Sequence, residues 1–193
     1  MIHHIFPTQI ATYKIDLDKG LIYSTMQDFN VGPMKVLDRG NTSYAPPPIG
    51  EMATTSDFFL FNEKLQHLVQ AIQSKLNDYT NALSLEPCML SNSWFNKMDI
   101  DGSVRMHRHT GSVVSGALYV DAPKGSTPLV FSDPLNGCRM MELCRLNNYH
   151  YEVDVYEGLL VLFPSWLMHE TFPQKEPRTV ISFNTYHAPP TSF

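Results

Sequence analysis

Gly158-Leu159-Leu160-Val161-Leu162-Phe163-Pro164-Ser165-Trp166-Leu167-Met168-His169 leaves a turn residue, runs through an unbroken apolar stretch and ends on a histidine. A run this short and this continuously apolar reads as a strand buried on both faces, because a half-exposed strand alternates polar and apolar side chains. A histidine just past the end of such a strand sits at the mouth of a sandwich or barrel, where ligand sites are common.

Outward from this stretch the texture is the same. After Pro87, short runs rich in Val, Phe, Tyr and Trp are divided by Gly102, Pro123-Lys124-Gly125, Asp133-Pro134 and Gly158. The pattern predicts strands near 89–98, 103–109, 113–121, 128–132, 151–155, 159–163 and 178–187. Several short strands of this kind imply a two-sheet sandwich, or jelly roll. Before Pro87, residues 2–23 read as early strand. The stretch from Asp28 to Met52 is broken by Gly32-Pro33, Arg39-Gly40 and Pro46-Pro47-Pro48 and reads as irregular. Ser56 or Asp57 is placed to cap a helix whose apolar positions, Leu60, Leu65, Leu68, Val69, Ile72 and Leu76, follow helical spacing and fade near 77–81. The fold expected is mainly β with a flanking α-helix. It forms a single domain over 1–193, with N-terminal strands and helix in 1–87 and a jelly-roll core in 88–193.

At 193 residues the chain is long enough for one sizeable core. The formal net charge of −5 argues against a strongly nucleic-acid-binding surface, so nucleic acid is not expected as a stable partner. No apolar run approaches the roughly 20 residues that span a bilayer, and Met1 to Ile10 lacks the build of a signal peptide. Cys88, Cys138 and Cys144 are odd in number and without zinc-knuckle spacing. They read as reduced thiols, which places the protein in the cytoplasm.

Two further histidines give His169 company. Arg105, His107 and His109 fall on one face of an extended segment, with Met106 and Arg108 on the other. Two imidazoles two residues apart can reach one divalent ion at roughly 2.0–2.1 Å per nitrogen, and His169 could complete a three-cornered site. Arg178 opens the next strand, which puts Val180, Ser182, Asn184 and Tyr186 on its own face and Thr179, Ile181, Phe183 and Thr185 on the other. An arginine directed into an apolar sandwich is costly without an anion, and its fork suits a ligand carboxylate. The plainer readings are a pair of exposed strand histidines and an edge arginine in water.

The stretch from His107 to Tyr186 resembles the catalytic core of the iron(II)- and 2-oxoglutarate-dependent dioxygenases, in the order of features of the prolyl 4-hydroxylase branch. His107-Arg108-His109 stands at that family's His-x-Asp motif, and Gly116-Ala117-Leu118-Tyr119-Val120 at its tyrosine-bearing strand. His169 and Arg178 match the distal histidine and the arginine that grips 2-oxoglutarate. A group of short bacterial and phage oxygenases is more similar still. This chain shares with it Ser93-Trp94, Ser115-Gly116, Phe131-Ser132-Asp133-Pro134, Phe163-Pro164-Ser165-Trp166 and Phe183-Asn184.

The resemblance implies a double-stranded β-helix that binds Fe(II) and 2-oxoglutarate. Its activity would be that of a dioxygenase, hydroxylating a substrate with O2 and releasing succinate and CO2. His107, His109 and His169 become both metal ligands and catalytic residues, and Arg178 holds the far carboxylate of 2-oxoglutarate. Tyr119 either adds its hydroxyl to that carboxylate or is a packed tyrosine. One departure stands out: position 109 is histidine where most of the superfamily has a carboxylate, and Asp133 is the other candidate for third ligand. Trp94 and Trp166 either wall the cavity or fill core, and Ser182 and Asn184 either line the 2-oxoglutarate pocket or satisfy backbone groups. Two other classes fit parts of the pattern. One is a cupin-like three-histidine metalloenzyme that does not use 2-oxoglutarate. The other is a non-catalytic β-sandwich binding module. The segments 28–52 and 134–150 are where substrate selectivity is expected.

Overall fold

The computed structural model of the chain describes residues 7–29, 32–33, 52–54, 58–135 and 149–188. In chain order the elements are β1 (Ala11–Lys14), α1 (Lys19–Met26), β2 (Gly32–Pro33), β3 (Met52–Thr54), α2 (Gln66–Ala82), β4 (Cys88–Met98), β5 (Val104–His107), β6 (Val114–Asp121), β7 (Leu129–Ser132), β8 (His150–Val153), β9 (Leu159–Pro164), β10 (His169–Thr171) and β11 (Arg178–His187). They make a larger sheet in the order β1-β9-β6-β11-β4-β3-β2 and a smaller one in the order β5-β10-β7-β8. The strand pairings in both are antiparallel.

Alternation along the central strands sorts their side chains into two cores. From β6, β9 and β11, Leu118, Val120, Leu160, Leu162, Ile181 and Phe183 pack against the helices. Ala117, Tyr119, Val161, Phe163 and Val180 from the same strands face the smaller sheet and meet Leu129 and Phe131 there. Being covered on both sides, β9 has no polar alternation, as its apolar run predicts. Gly158 enters β9 at φ +79°, and a Cβ there would lie 2.5 Å from the Ile15 carbonyl oxygen, so the turn needs glycine twice over. On β6, a Cβ at Gly116 would come within 2.1 Å of the Phe183 ring, its register partner across β11.

Both helices lie on the larger sheet's outer face. Ile72 and Leu76, four apart on α2, are fully buried, each stabilising by roughly 1.5–3 kcal/mol relative to exposure. The helix starts later than its apolar spacing predicts. Phe59–Phe61 and Glu63–Leu65 form 3₁₀ turns instead, divided by an extended Asn62, and the buried Ser93 hydroxyl of β4 accepts from the Leu60 N–H at 2.8 Å. The proposed caps Ser56 and Asp57 lie outside the described residues.

The early-strand reading of 2–23 holds for β1 alone among the described residues. Leu21, Ile22 and Tyr23 belong to α1, which Asp18 caps by accepting from the Leu21 N–H at 2.9 Å. This helix buries Ile22 and Met26, again four apart. The predicted strands after Pro87 match β4 to β9 and β11 closely, with two corrections. The strand predicted at 103–109 ends at His107, since the His109 N–H turns away to donate to the Ser165 carbonyl at 2.8 Å. His169 does not trail a strand end; it begins β10, paired on one side with β5 and on the other with β7. Among the described residues no helix is long and apolar enough to cross a membrane.

Candidate metal centre

The register of the smaller sheet sets the site. His169 on β10 is the direct cross-strand partner of His107 on β5, and their ring centroids are 4.2 Å apart. Two residues beyond β5, His109 returns its ring to the same spot, 5.1 Å from His107 and 5.2 Å from His169. One ligand nitrogen from each of the three rings lies within 4.8 Å of the others. The two histidines of the His-x-His pair therefore reach one point from a strand end and a following turn, not from one strand face.

Hydrogen bonds prepare these rings to coordinate. His107 Nδ1 lies 2.7 Å from the Arg105 carbonyl oxygen, and His169 Nδ1 lies 2.9 Å from that of Leu167. A carbonyl only accepts, so each Nδ1 carries the proton and each Nε2 keeps a free lone pair. Burial holds all three imidazoles neutral. It pushes His169 down to about 3 and His109 down to about 4, with His107 adding a repulsive share to both, and it lowers His107 as well. Phe163 packs edge-on to the His169 ring at 4.7 Å, and Trp94 stacks on His109 at 5.7 Å. Three convergent neutral imidazoles form a nitrogen donor set suited to a divalent first-row metal.

Asp133, the alternative third ligand, is not in this cluster. Its Oδ1 accepts from the Leu135 N–H at 2.8 Å, the turn role favoured by its Asp-Pro context. Trp166 neither walls the cavity nor fills core: it is 51% exposed. Cys138 and Cys144 lie outside the described residues, while Cys88 is a buried free thiol.

A cavity of about 540 Å³ joins the histidines to Arg178, with Trp94, Asn96, Tyr119 and Asn184 also on its walls. Arg178 is 3% exposed. One terminal guanidinium nitrogen donates to the Thr127 carbonyl at 2.9 Å and the other to Thr171 Oγ1 at 2.8 Å. Its centre sits 5.4 Å from the Tyr119 ring centroid, a cation–π contact. Nε is buried without a hydrogen-bond partner. Burial disfavours the charged guanidinium and, for Tyr119, the phenolate. A dry cation with an unpaired N–H is costly unless an anion occupies the cavity beside it. Thr127 and Thr171, which aim the fork, were not visible in the sequence, because they meet Arg178 only through the fold.

Residues 92–184 match the family described as "Putative 2OG-Fe(II) oxygenase". This segment belongs to the 2OG-Fe(II) oxygenases. The match spans both histidine stretches and Arg178, and begins just before Trp94.

Solved structures of this superfamily share the fold at low identity. A Pseudomonas putida prolyl-4-hydroxylase superposes with a TM-score of 0.58 at 15% identity, over 93% of this chain and 94% of that one. A prolyl hydroxylase from Trichoplax adhaerens, in complex with a hypoxia inducible factor peptide fragment, gives 0.64 at 11%, over 92% and 83%. HygX from Streptomyces hygroscopicus, with nickel, 2-oxoglutarate and hygromycin B bound, gives 0.61 at 13%, over 94% and 84%. No curated protein matches the chain by sequence.

Proposed function

We propose that the protein is an Fe(II)- and 2-oxoglutarate-dependent dioxygenase acting as a hydroxylase. It would work as one oxygenase domain in which β1 on one side, and β3 with β2 on the other, extend the sheet of the 88–193 core. The observation that carries the reading is the pairing, on one cavity, of three convergent imidazoles with a buried arginine whose Nε has no partner.

In this reading His107, His109 and His169 hold Fe(II), the first and last through Nε2. Arg178 holds the distal carboxylate of 2-oxoglutarate with Nε and a remaining terminal N–H, while Thr127 and Thr171 fix its plane. Tyr119 supports that cation with its ring face, a role distinct from the hydroxyl contact weighed from sequence. When bound, iron and 2-oxoglutarate supply the oxidative decarboxylation that consumes O2, yields succinate and CO2, and drives hydroxylation of a C–H bond. Phe131, Phe163 and Val180 keep water from the inner wall. Three neutral ligands leave the ion's +2 charge uncompensated by protein, which suits a dianionic co-substrate. A reducing, cytoplasmic setting accords with the free thiol of Cys88.

An all-imidazole donor set also favours a second reading, a cupin-like metalloenzyme that does not use 2-oxoglutarate. Arg178 separates the two, since such an enzyme has no need of a buried guanidinium here. The test is anaerobic Fe(II) titration followed by succinate release from 2-oxoglutarate in air. One ferrous ion per chain with 2-oxoglutarate-dependent succinate supports the dioxygenase. One ion without it favours the cupin-like enzyme, and no ion leaves a non-catalytic β-sandwich binding module.

A further inference from the structure

Charge separates this centre from one with a carboxylate ligand. His107 and His169 each keep a proton on Nδ1, against a backbone carbonyl, and offer Nε2 to an ion. An imidazole that binds a metal through its lone pair is neutral, so the three rings bring no charge. A ferrous ion carries two positive charges. The Arg178 guanidinium, which does not deprotonate in proteins, adds a third. The two carboxylates of 2-oxoglutarate cancel two of these. One positive charge is left over, in a cavity where Arg178 is only 3% exposed. An aspartate at position 109 would cancel it; histidine stands there instead.

No group on the cavity wall makes up the difference among the described residues. Glu170 is the one acidic residue there. Its neighbours both turn inward, His169 to meet the His107 ring and Thr171 to accept from Arg178. The pleat of β10 therefore sends the Glu170 carboxylate to the outer face of the smaller sheet.

Arg108 adds to the imbalance. β5 ends at His107, so Arg108 is not held on that strand's far face; it reaches the cavity as an exposed side chain, at the mouth. Its backbone is fixed on both sides: His107 pairs with His169, and the His109 N–H is held by the Ser165 carbonyl at 2.8 Å. Among the described residues no carboxylate forms an ion pair with Arg108. On the same wall the half-buried Trp94 ring stacks on His109, with centroids 5.7 Å apart.

A buried charge without a counter-ion is costly, and a ligand that brings the counter-ion gains affinity by it. Resting on the dioxygenase reading of this cavity, we propose that the primary substrate is an anion, with its carboxylate or phosphate beside Arg108 and the metal and its carbon skeleton against Trp94. The charge that a carboxylate ligand would supply arrives here with the substrate. A neutral molecule of the same shape leaves the positive charge unbalanced, so the cavity selects acids.

The test uses three probes of similar shape: phenylacetate, phenyl phosphate and the uncharged phenylacetamide. Each is titrated anaerobically into the full chain loaded with Co(II) and saturating 2-oxoglutarate, which keeps Arg178 occupied. Paramagnetic broadening of the probe's proton resonances reports molecules held beside the metal. An anion is expected to bind roughly 10- to 150-fold more tightly than the amide, the worth of a hydrogen bond to a charged group. Which anion it is separates a carboxylate substrate from a phosphate one. Arg108 is exposed, so Arg108→Gln is expected to fold, and it should remove most of that preference. His109→Asp puts the missing charge back on the protein and should bring anion and amide to within a few-fold of each other while Co(II) stays bound. If His109→Asp does not fold, Arg108→Gln decides. A native chain that holds Co(II) and 2-oxoglutarate but binds the anions no better than the amide overturns this inference alone, as does native preference kept in both variants. A native chain that holds neither overturns the dioxygenase reading, and this inference with it.

Discussion

Replacing Arg178 by lysine isolates the geometry of the anion clamp from its charge. The guanidinium holds Thr127 O at 2.9 Å and Thr171 Oγ1 at 2.8 Å, and its unpartnered Nε is the donor left for a ligand. An ammonium at that depth keeps the positive charge but loses the rigid fork, so at most one of two parallel bonds to a carboxylate survives. A hydrogen bond to a charged group is worth about 1.5–3 kcal/mol. Arg178→Lys should therefore weaken 2-oxoglutarate binding by roughly 10- to 150-fold, taking 1.4 kcal/mol per factor of ten.

Arg178→Ala removes the cation altogether, and about 2–5 kcal/mol is expected, the cost of breaking a buried charged pair. The assay is anaerobic calorimetry of 2-oxoglutarate into protein saturated with Co(II), with Co(II) affinity measured separately. Metal affinity should stay within a few-fold of native in both variants. If both fold, hold Co(II) and bind 2-oxoglutarate as tightly as the native chain, the clamp assignment is wrong.

Three further outcomes follow from the packing and the site. His169→Ala removes the ring of the triad rooted on β10, and the Co(II) titration should lose its stoichiometric site while far-ultraviolet circular dichroism stays unchanged. Gly116→Ala drives a methyl into the buried Phe183 ring, and urea denaturation should show a loss of about 1–3 kcal/mol, the usual cost of overpacking. Tyr79 is buried, donates its hydroxyl to the Gln9 carbonyl at 3.0 Å, and is pushed up to about 12 chiefly by burial. Its unfolded counterpart ionises near 10, so the contribution is intact below pH 10. It falls by about 1.4 kcal/mol for each further pH unit up to about 12. Alkaline unfolding curves of the native chain should show that decline, and Tyr79→Phe should flatten it.

What was legible in the sequence tracks how local its causes are. β9 and β6 are apolar because both faces are covered, so their runs could be read directly. The face shared by Arg178, Val180, Ser182 and Asn184 followed from alternation, and all four line the cavity. Leu21-Ile22-Tyr23 misled because a short apolar cluster suits a strand or a helix equally; Asp18 and the spacing of Ile22 and Met26 carried the contrary signal. His109 misled in another way. Alternation ran one turn too far, since a carbonyl on Ser165, 56 residues on, claims its backbone N–H. β10 has three residues, one of them Glu170, and is a strand only because β5 and β7 flank it. The Ser115 hydroxyl on β6 likewise meets the Ser165 hydroxyl, in the turn after β9, at 2.8 Å. Ser115 and Ser165 stood within recognisable motifs, but their contact with each other is a property of the folded sheets.

The four-residue β5 is an edge strand of the smaller sheet, and it ends at His107, whose ring faces one rooted on the interior strand β10. An ion shared between them is a rivet through a hem. Chain stability and metal occupancy are then linked locally: emptying the centre frees the hem to fray while the seven-stranded sheet behind it stays whole. Starved of iron, such an enzyme would first become vulnerable to proteases at Val104–His107, long before it melts.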